Sequence, residues 1–231
     1  MVSVIVPTLN ESAQIATSLS ALQEMRGSGH EVILVDGGSE DGTRDIATPW
    51  VDRVLLSTAG RALQQNAGAL EARGDTLLFL HADTLIPPEA MVEFLDGFPA
   101  SRRVWGWFDV TLNGSHFMFR VVETLMNARA RLSRITTGDH AIFVKRVAFE
   151  KVGGYPEIPL MEDIAISRLL KGEGRPFCPG RRIVTSSRRW EEKGILRTIL
   201  LMWRLRLAYA LGADPRRLAR AYYAPPRPDD P

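Results

Sequence analysis

The sequence predicts an α/β fold in which a mostly parallel sheet carries helices on both faces. Three observations support that expectation. Through the first hundred residues, short runs rich in Val, Ile and Leu alternate with longer stretches at helical spacing, the βαβ pattern. The runs are continuously apolar, as strands buried on both faces are. Two of them stop abruptly in polar groups, at Val35-Asp36 and at Leu80-His81-Ala82-Asp83, and open α/β sheets hold their ligands at such strand ends.

The elements follow in order. Short strands are expected at residues 2–6, 31–35, 51–56 and 76–80. A helix begins after the polar Asn10-Glu11-Ser12, with Ile15, Leu19 and Leu22 at helical spacing, and residues 61–73 form an alanine-rich run of good helix formers. Pro87-Pro88-Glu89 starts another helix. Farther on, residues 104–112 and 141–144 read as strands that complete the sheet, and 116–134 and 163–170 as helices. Gly153-Gly154-Tyr155-Pro156 and the stretch 172–179 are turn clusters.

A chain of 231 residues with 45% hydrophobic content is long enough for one continuous core. Its single cysteine, Cys178, makes neither an intramolecular disulfide nor a thiolate metal cluster, which suits a reducing compartment. The chain opens on an apolar strand with no basic region or cleavage site, so a cytoplasmic location is expected. The proline-rich tail 224–231 is expected to be loose. Charge is unevenly spread: residues 1–100 carry 5 Lys+Arg against 14 Asp+Glu, and 101–231 carry 24 against 13. A basic second half suits an anionic partner, but no aromatic stripe interleaves with the charges, so nucleic acid is not expected.

The chemistry gathers at the strand ends. The first strand ends in Pro7-Thr8-Leu9-Asn10-Glu11 and the second in Val35-Asp36-Gly37-Gly38-Ser39-Glu40-Asp41-Gly42-Thr43. Adjacent strand ends with polar groups suit a nucleobase and ribose. Asn10 fits a helix N-cap equally well, and Asp41 a turn, whereas Asp36 directly follows the apolar run and is the stronger ligand candidate. The glycine spacing matches neither the dinucleotide fingerprint nor a P-loop, so a diphosphate must be held another way. A divalent cation bridged by Asp83 is the natural alternative, because Mg²⁺ is commonly held by one or two carboxylates plus phosphate oxygens.

These strand-end motifs, with Gly60-Arg61, Asn66-Ala67-Gly68, His81-Ala82-Asp83 and Glu162-Asp163, fall in the order seen in family 2 glycosyltransferases, which the chain resembles. Phe79-Leu80-His81-Ala82-Asp83-Thr84, Gly138-Asp139-His140-Ala141-Ile142-Phe143 and Arg188-Arg189-Trp190 are similar to a small bacterial subgroup found alongside radical-SAM and selenium-domain proteins. The resemblance implies a GT-A fold, a single Rossmann-like, mostly parallel sheet. It implies Pro7, Thr8, Asn10, Glu11, Asp36 and Gly38 at the nucleotide-sugar site, Arg61 near the base or diphosphate, and Asp83 as the carboxylate of a DxD motif that binds Mn²⁺ or Mg²⁺. His81 stands where that motif has its first carboxylate; imidazole suits a ribose hydroxyl or Mn²⁺, and a histidine with no ligand role fits as well. Asp163, with Glu162 beside it, is implied as the catalytic base, although by pattern alone the pair is an acidic first helical turn. Arg188, Arg189 and Trp190 are implied near the donor diphosphate, with solvated surface arginines as the alternative. Gly138, Asp139 and His140 are implied at the acceptor site, where Asp139 equally caps the segment after it.

Residues 193–212 are mostly apolar but interrupted by Arg197, Arg204 and Arg206, which argues against a spanning helix. Such an amphipathic helix packs on the domain, joins a homodimer, or lies at a membrane interface near a lipid-linked acceptor. One domain is expected over 1–223, with a nucleotide-sugar half (1–100), an acceptor and catalytic half (101–192) and this helix. The function implied is an inverting, metal-dependent glycosyltransferase of hexosyl type. It would move a sugar from a nucleoside diphosphate donor, above all a UDP-sugar, to an acceptor hydroxyl, with peripheral contact at the inner membrane face. A nucleotide-sugar sensor that never turns over is the non-enzymatic alternative. A sugar-phosphate nucleotidyltransferase is the weaker one, because its glycine-rich start is missing.

Overall fold

Strand β1 (Val2–Thr8) is buried at every position because it lies at the centre of a sheet covered on both faces. The computed structural model describes residues 1–223, so the tail expected at 224–231 lies outside the described residues. After β1 come α1 (Ile15–Ser20), α2 (Gln23–Gly27), β2 (Glu31–Asp36), α3 (Thr43–Ala47), β3 (Arg53–Leu56), α4 (Arg61–Glu71), β4 (Thr76–Phe79), β5 (Thr84–Leu85) and α5 (Pro88–Gly97). β2 and β4 flank β1, both parallel to it, and β3 extends the sheet beyond β2. The four strands expected in the first hundred residues are all present.

Alternating side chains of these strands feed two cores. Val4 and Val6 face one way, into a cluster with Ile15 and Leu19 of α1 and Met91 and Phe94 of α5. Ile5, Ile33 and Val35 face the other way, against Ala62 and Ala69 of α4. α1 has no side-chain cap, yet Ile15, Leu19 and Leu22 are fully buried. Their burial contributes about 1.5–3 kcal/mol each, which outweighs a missing cap of about 1 kcal/mol. α4 sits unusually close to the sheet at Gly68, where a Cβ would lie 2.4 Å from Ile5 Cγ2 and 2.9 Å from Val35 Cγ2.

The second half holds β6 (Trp105–Gly106), β7 (Asp109–Leu112), α6 (Phe117–Ser133), β8 (Phe143–Lys145), α7 (Arg146–Lys151), α8 (Glu162–Gly172), β9 (Arg182–Thr185), α9 (Arg188–Lys193), α10 (Ile195–Ala210) and α11 (Pro215–Tyr223). The main sheet has the order β3-β2-β1-β4-β8-β6, with β8 antiparallel to both of its neighbours. It is mostly parallel, as expected. The expected single sheet is supplemented by a second one of three strands, β5-β9-β7. The strand expected at 104–112 is divided between them. At the break, the amides of Trp107 and Phe108 leave the ladder and donate to Phe177 O and His140 O, while both rings stay fully buried. Burial without a ladder reads in sequence as one continuous strand.

Helix α6 is fastened to the edge of the second sheet by buried polar side chains. Asn127 accepts from Val110 N–H and donates to Val110 O, and Glu123 accepts from Leu112 N–H. An edge that would otherwise expose backbone groups is thereby closed. α10 and α11 pack through Leu205, Leu218 and Tyr222 onto Leu160, Met161 and Ile164 around the start of α8. Among the described residues, no helix is long and apolar enough to cross a membrane.

Candidate active site

The strand order changes direction at β1, since β2 lies on one side of it and β4 on the other. Ligands of open α/β sheets bind at such a switch point, beyond the carboxyl ends of the strands. Here a cleft of about 980 Å³ opens, floored by Pro7, Thr8 and Leu9 after β1 and by the turn His81-Ala82-Asp83 after β4. Gln64 of α4 sets the donor-side geometry: its amide donates to Thr8 O and Val35 O, both at 2.8 Å, bridging β1 and β2 where they begin to separate. Arg61, one turn earlier on the same helix, lines the cleft.

The turn after β4 is short because β5 begins at Thr84, whose amide donates back to His81 O. This places Asp83 between the two sheets, half-buried and facing the cleft. The His81 ring turns toward the acidic side of the cleft. Its Nδ1 lies 3.3 Å from Asp139 Oδ1, and a Cβ at Gly138 would come within 2.3 Å of its Nε2. Only a glycine lets the 138–139 turn approach the imidazole this closely. Desolvation pushes the Asp139 carboxyl up, but His81 and Arg61 hold it well below the usual carboxylate range.

Glu162 and Asp163 open α8. Met161 before them has φ of 70°, a left-handed conformation costly for a residue with a side chain and one often kept at functional sites. Asp163 accepts from the Gly138 amide at 3.0 Å and from the Ile164 amide at 2.7 Å, so both carboxylate oxygens are oriented by backbone. Glu162 is buried beside it. Burial raises the pKa of both carboxyls, and their mutual repulsion adds to the rise at Glu162, while Arg61 opposes it at each. Two acids held above their usual range in a cleft form a candidate acid/base centre.

The far wall comes from α6, α9, α10 and α11. Arg188 reaches Glu11 at 3.2 Å, tying α9 to the segment after β1. Burial raises the Glu11 pKa, Arg188 opposes that rise, and the nearby Asp83 carboxylate adds to it. The Arg189 guanidinium stacks 3.6 Å from the ring centre of Tyr222. Trp190 packs against the cluster of Leu112, Phe119 and Val122. On α6, Arg129 lines the cleft with Nε and Nη2 shut from solvent and unpartnered among the described residues.

Of the residues singled out in sequence, Pro7, Thr8, Glu11, Arg61, His81, Asp83, Asp139, Glu162, Asp163, Arg188, Arg189 and Trp190 are brought together around this cleft. Five do not line it. Asp36 is fully buried and accepts from the amides of Gly38 and Ser39 and from the Ser39 hydroxyl, so it shapes the loop after β2. Gly38 belongs to that loop, with φ of 98°. Asn10 does not cap α1, whose N-cap is Gln14; its side chain accepts from the Glu40 amide instead. Gly138 anchors Asp163 from the buried side of the turn, and His140 is fully buried against Phe108 O. Gln64, Arg129 and Tyr222 were not singled out. Gln64 had one usable signal, its position three residues after Arg61 on the same helix face.

Comparison with known proteins agrees with this fold. Residues 3–153 match Glycosyl transferase family 2. A PGL/p-HBAD biosynthesis glycosyltransferase of Mycobacterium bovis is 30% identical over 166 residues, covering 67% of this chain and 63% of that protein. This chain thus spans less than two thirds of that relative's length. The mannosyltransferase PcManGT of Pyrobaculum calidifontis, solved with GDP-Man and Mn²⁺, has a TM-score of 0.64 at 22% identity, over 96% of this chain and 70% of that one. S. aureus TarS 1-349 gives 0.64 at 20% identity, over 80% of this chain and 60% of that one. These likenesses establish a GT-A fold. The family match runs from β1 through Gln64 and the His81-Ala82-Asp83 turn to the end of α7, and by it the chain belongs to glycosyl transferase family 2.

Proposed function

We propose that this protein transfers a hexosyl group from a nucleoside diphosphate sugar to an acceptor hydroxyl, with inversion at the anomeric carbon. One observation supports this most directly: Asp163, oriented by two backbone amides and raised in pKa, shares a cleft with Asp83 beyond the ends of β1 and β4. Asp163 takes the proton of the acceptor hydroxyl as its oxygen bonds to the anomeric carbon. The bond from that carbon to the diphosphate breaks, and the diphosphate leaves with the electron pair. Arg61, at the head of α4, lines the same cleft, and its charge would compensate the departing diphosphate.

A divalent cation belongs to this proposal, since PcManGT is solved with Mn²⁺ and GDP-Man. Among the described residues, no cluster of three or more His, Cys, Asp or Glu forms a metal cage. The donor set fits a hard cation that needs few protein carboxylates, and Asp83 would be the carboxylate that holds it. A cation held there would supply charge compensation to the departing diphosphate. A uridine nucleotide remains the expected base, and S. aureus TarS is solved with UDP. Leu125, Met126, Ile199 and Met202 make the acceptor side of the cleft apolar, which favours a lipid-linked acceptor. Placement in the subgroup found alongside radical-SAM and selenium-domain proteins rests on the three sequence motifs named above.

The test is a thermal-shift screen of nucleotide sugars with and without Mn²⁺, followed by a turnover assay on any donor that stabilises. A donor at 100 times its Kd stabilises by about 2.7 kcal/mol, well within reach of the method. Stabilisation that needs donor and cation together, followed by release of nucleoside diphosphate, supports the reading. Binding without turnover assigns a sensor, and no response to any donor overturns the donor site.

A further inference from the structure

Two helices leave a face that nothing in the described chain covers. On α10 and its cap, Leu196, Leu200, Trp203, Leu207 and Leu211 are between 63% and 79% exposed. At about 100° per residue these five lie within an arc of about 80°, opposite the buried Thr198 and Leu205. On α6, Phe117, Val121, Leu125 and Leu132 form a second exposed stripe of similar width. Val122 of α6 shares an apolar cluster with Ile195 and Ile199 of α10, so the two helices are neighbours. Leu125 and Leu132 from one stripe and Trp203 from the other line the same cleft, which joins the two stripes at its mouth.

A contiguous exposed apolar surface marks an interaction site. The charge around it selects the partner. Residues 193–223 carry seven Lys or Arg and one acid, Asp214. Arg204 borders the α10 stripe at the helical spacing, with its cationic head on a stem long enough to lie along an apolar surface. A second copy of the chain would bring two such cationic segments together, whereas an anionic surface compensates them. Among the described residues no helix is long and apolar enough to cross a bilayer, so a helix meeting one through this face would lie in the interfacial plane.

We propose that the exposed faces of α6 and α10 seat the protein on an anionic lipid bilayer, with the mouth of the cleft at the level of the headgroups. Docking is independent of the transfer reading and is tested separately from it. Purified protein is sedimented with vesicles of phosphatidylcholine alone and of phosphatidylcholine mixed with phosphatidylglycerol. The expected result is binding to the mixed vesicles, weakened by added salt, and little to the neutral ones. The double variant Leu200→Glu with Leu207→Glu removes two exposed apolar contacts and should lower binding on the order of tenfold or more. Its melting temperature and its shift with nucleotide sugar should match the parent, because neither side chain packs in a core. Failure of the parent to bind either vesicle overturns the proposal, as does undiminished binding by the folded variant. A stable dimer that the variant abolishes, without vesicle binding, assigns the face to a second copy and also overturns it.

Discussion

Asp163 has two oriented oxygens and a raised pKa, and each property makes a prediction. Asp163→Asn keeps an oxygen to accept from an amide but loses the base, so transfer should fall about 10²- to 10⁴-fold while donor binding in the thermal shift is retained. Equal loss of binding and turnover would show that Asp163 holds the donor instead. The base works only when deprotonated. A raised pKa therefore makes transfer fail with falling pH sooner than an ordinary carboxylate of about 4 would, and a pH–rate profile reads this directly. A limb at or below the ordinary value would contradict it. Gly138 is the third test. In Gly138→Ala the new Cβ meets the His81 ring at 2.3 Å and must push it off Asp139 or shift the amide that orients Asp163. Transfer should drop at least as far as overpacking of about 1–3 kcal/mol implies, with the larger effect on kcat. His81 and Gly138 were both legible in the sequence as site residues. Their contact was not, because residues 57 positions apart meet only once β8 has been placed beside β4.

At the scale of elements, α4 carries the decisive arrangement. Gly68→Ala gains about 1 kcal/mol of helix propensity, but its methyl would enter the space of two fully buried side chains, Ile5 and Val35. Overpacking costs about 1–3 kcal/mol, so the net effect should be a lower denaturant midpoint, together with weaker donor binding as Arg61 and Gln64 move outward. A rise in the midpoint would mean the helix yields freely. Elements with strong local patterns were readable in advance. β1, β2 and β4 are apolar runs, and α6 runs from His116, whose side chain accepts from the Met118 amide, to a left-handed Arg134. β9 and the division of residues 104–112 were not readable. Four residues of β9 have meaning only opposite β5 and β7, and those pairings join positions about 70 to 100 residues apart. α11 is short and strongly basic, and what it buries is Leu218 and Tyr222 against the start of α8, a contact with no local signature.

For the molecule as a whole, stability couples to pH through His140 deep inside. Burial pushes its imidazole down to about 4, so the folded protein refuses a proton that the unfolded chain accepts near 6.5. Its stabilising share is present above that value and is lost as pH falls toward 4, by about 3 kcal/mol in all. Glu162 and Asp163 act oppositely, since their raised values favour the folded state as pH falls. The clean measurement is therefore a difference: the advantage of the parent over His140→Gln in unfolding free energy should shrink between pH 7 and pH of about 4.5. A constant difference would show that His140 titrates normally.

The strand order is also an order in time. β3, β2, β1 and β4 all come from the first 79 residues and are consecutive in the sheet, and β4 alone among them also pairs with a later strand, β8. As the chain leaves a ribosome, that half can close its ladder and cover it with α1 and α4 before any of the second half exists. The short strand after Asp83 must wait for Thr185, so the turn bearing the carboxylate is completed near the end of synthesis, together with the wall that faces it.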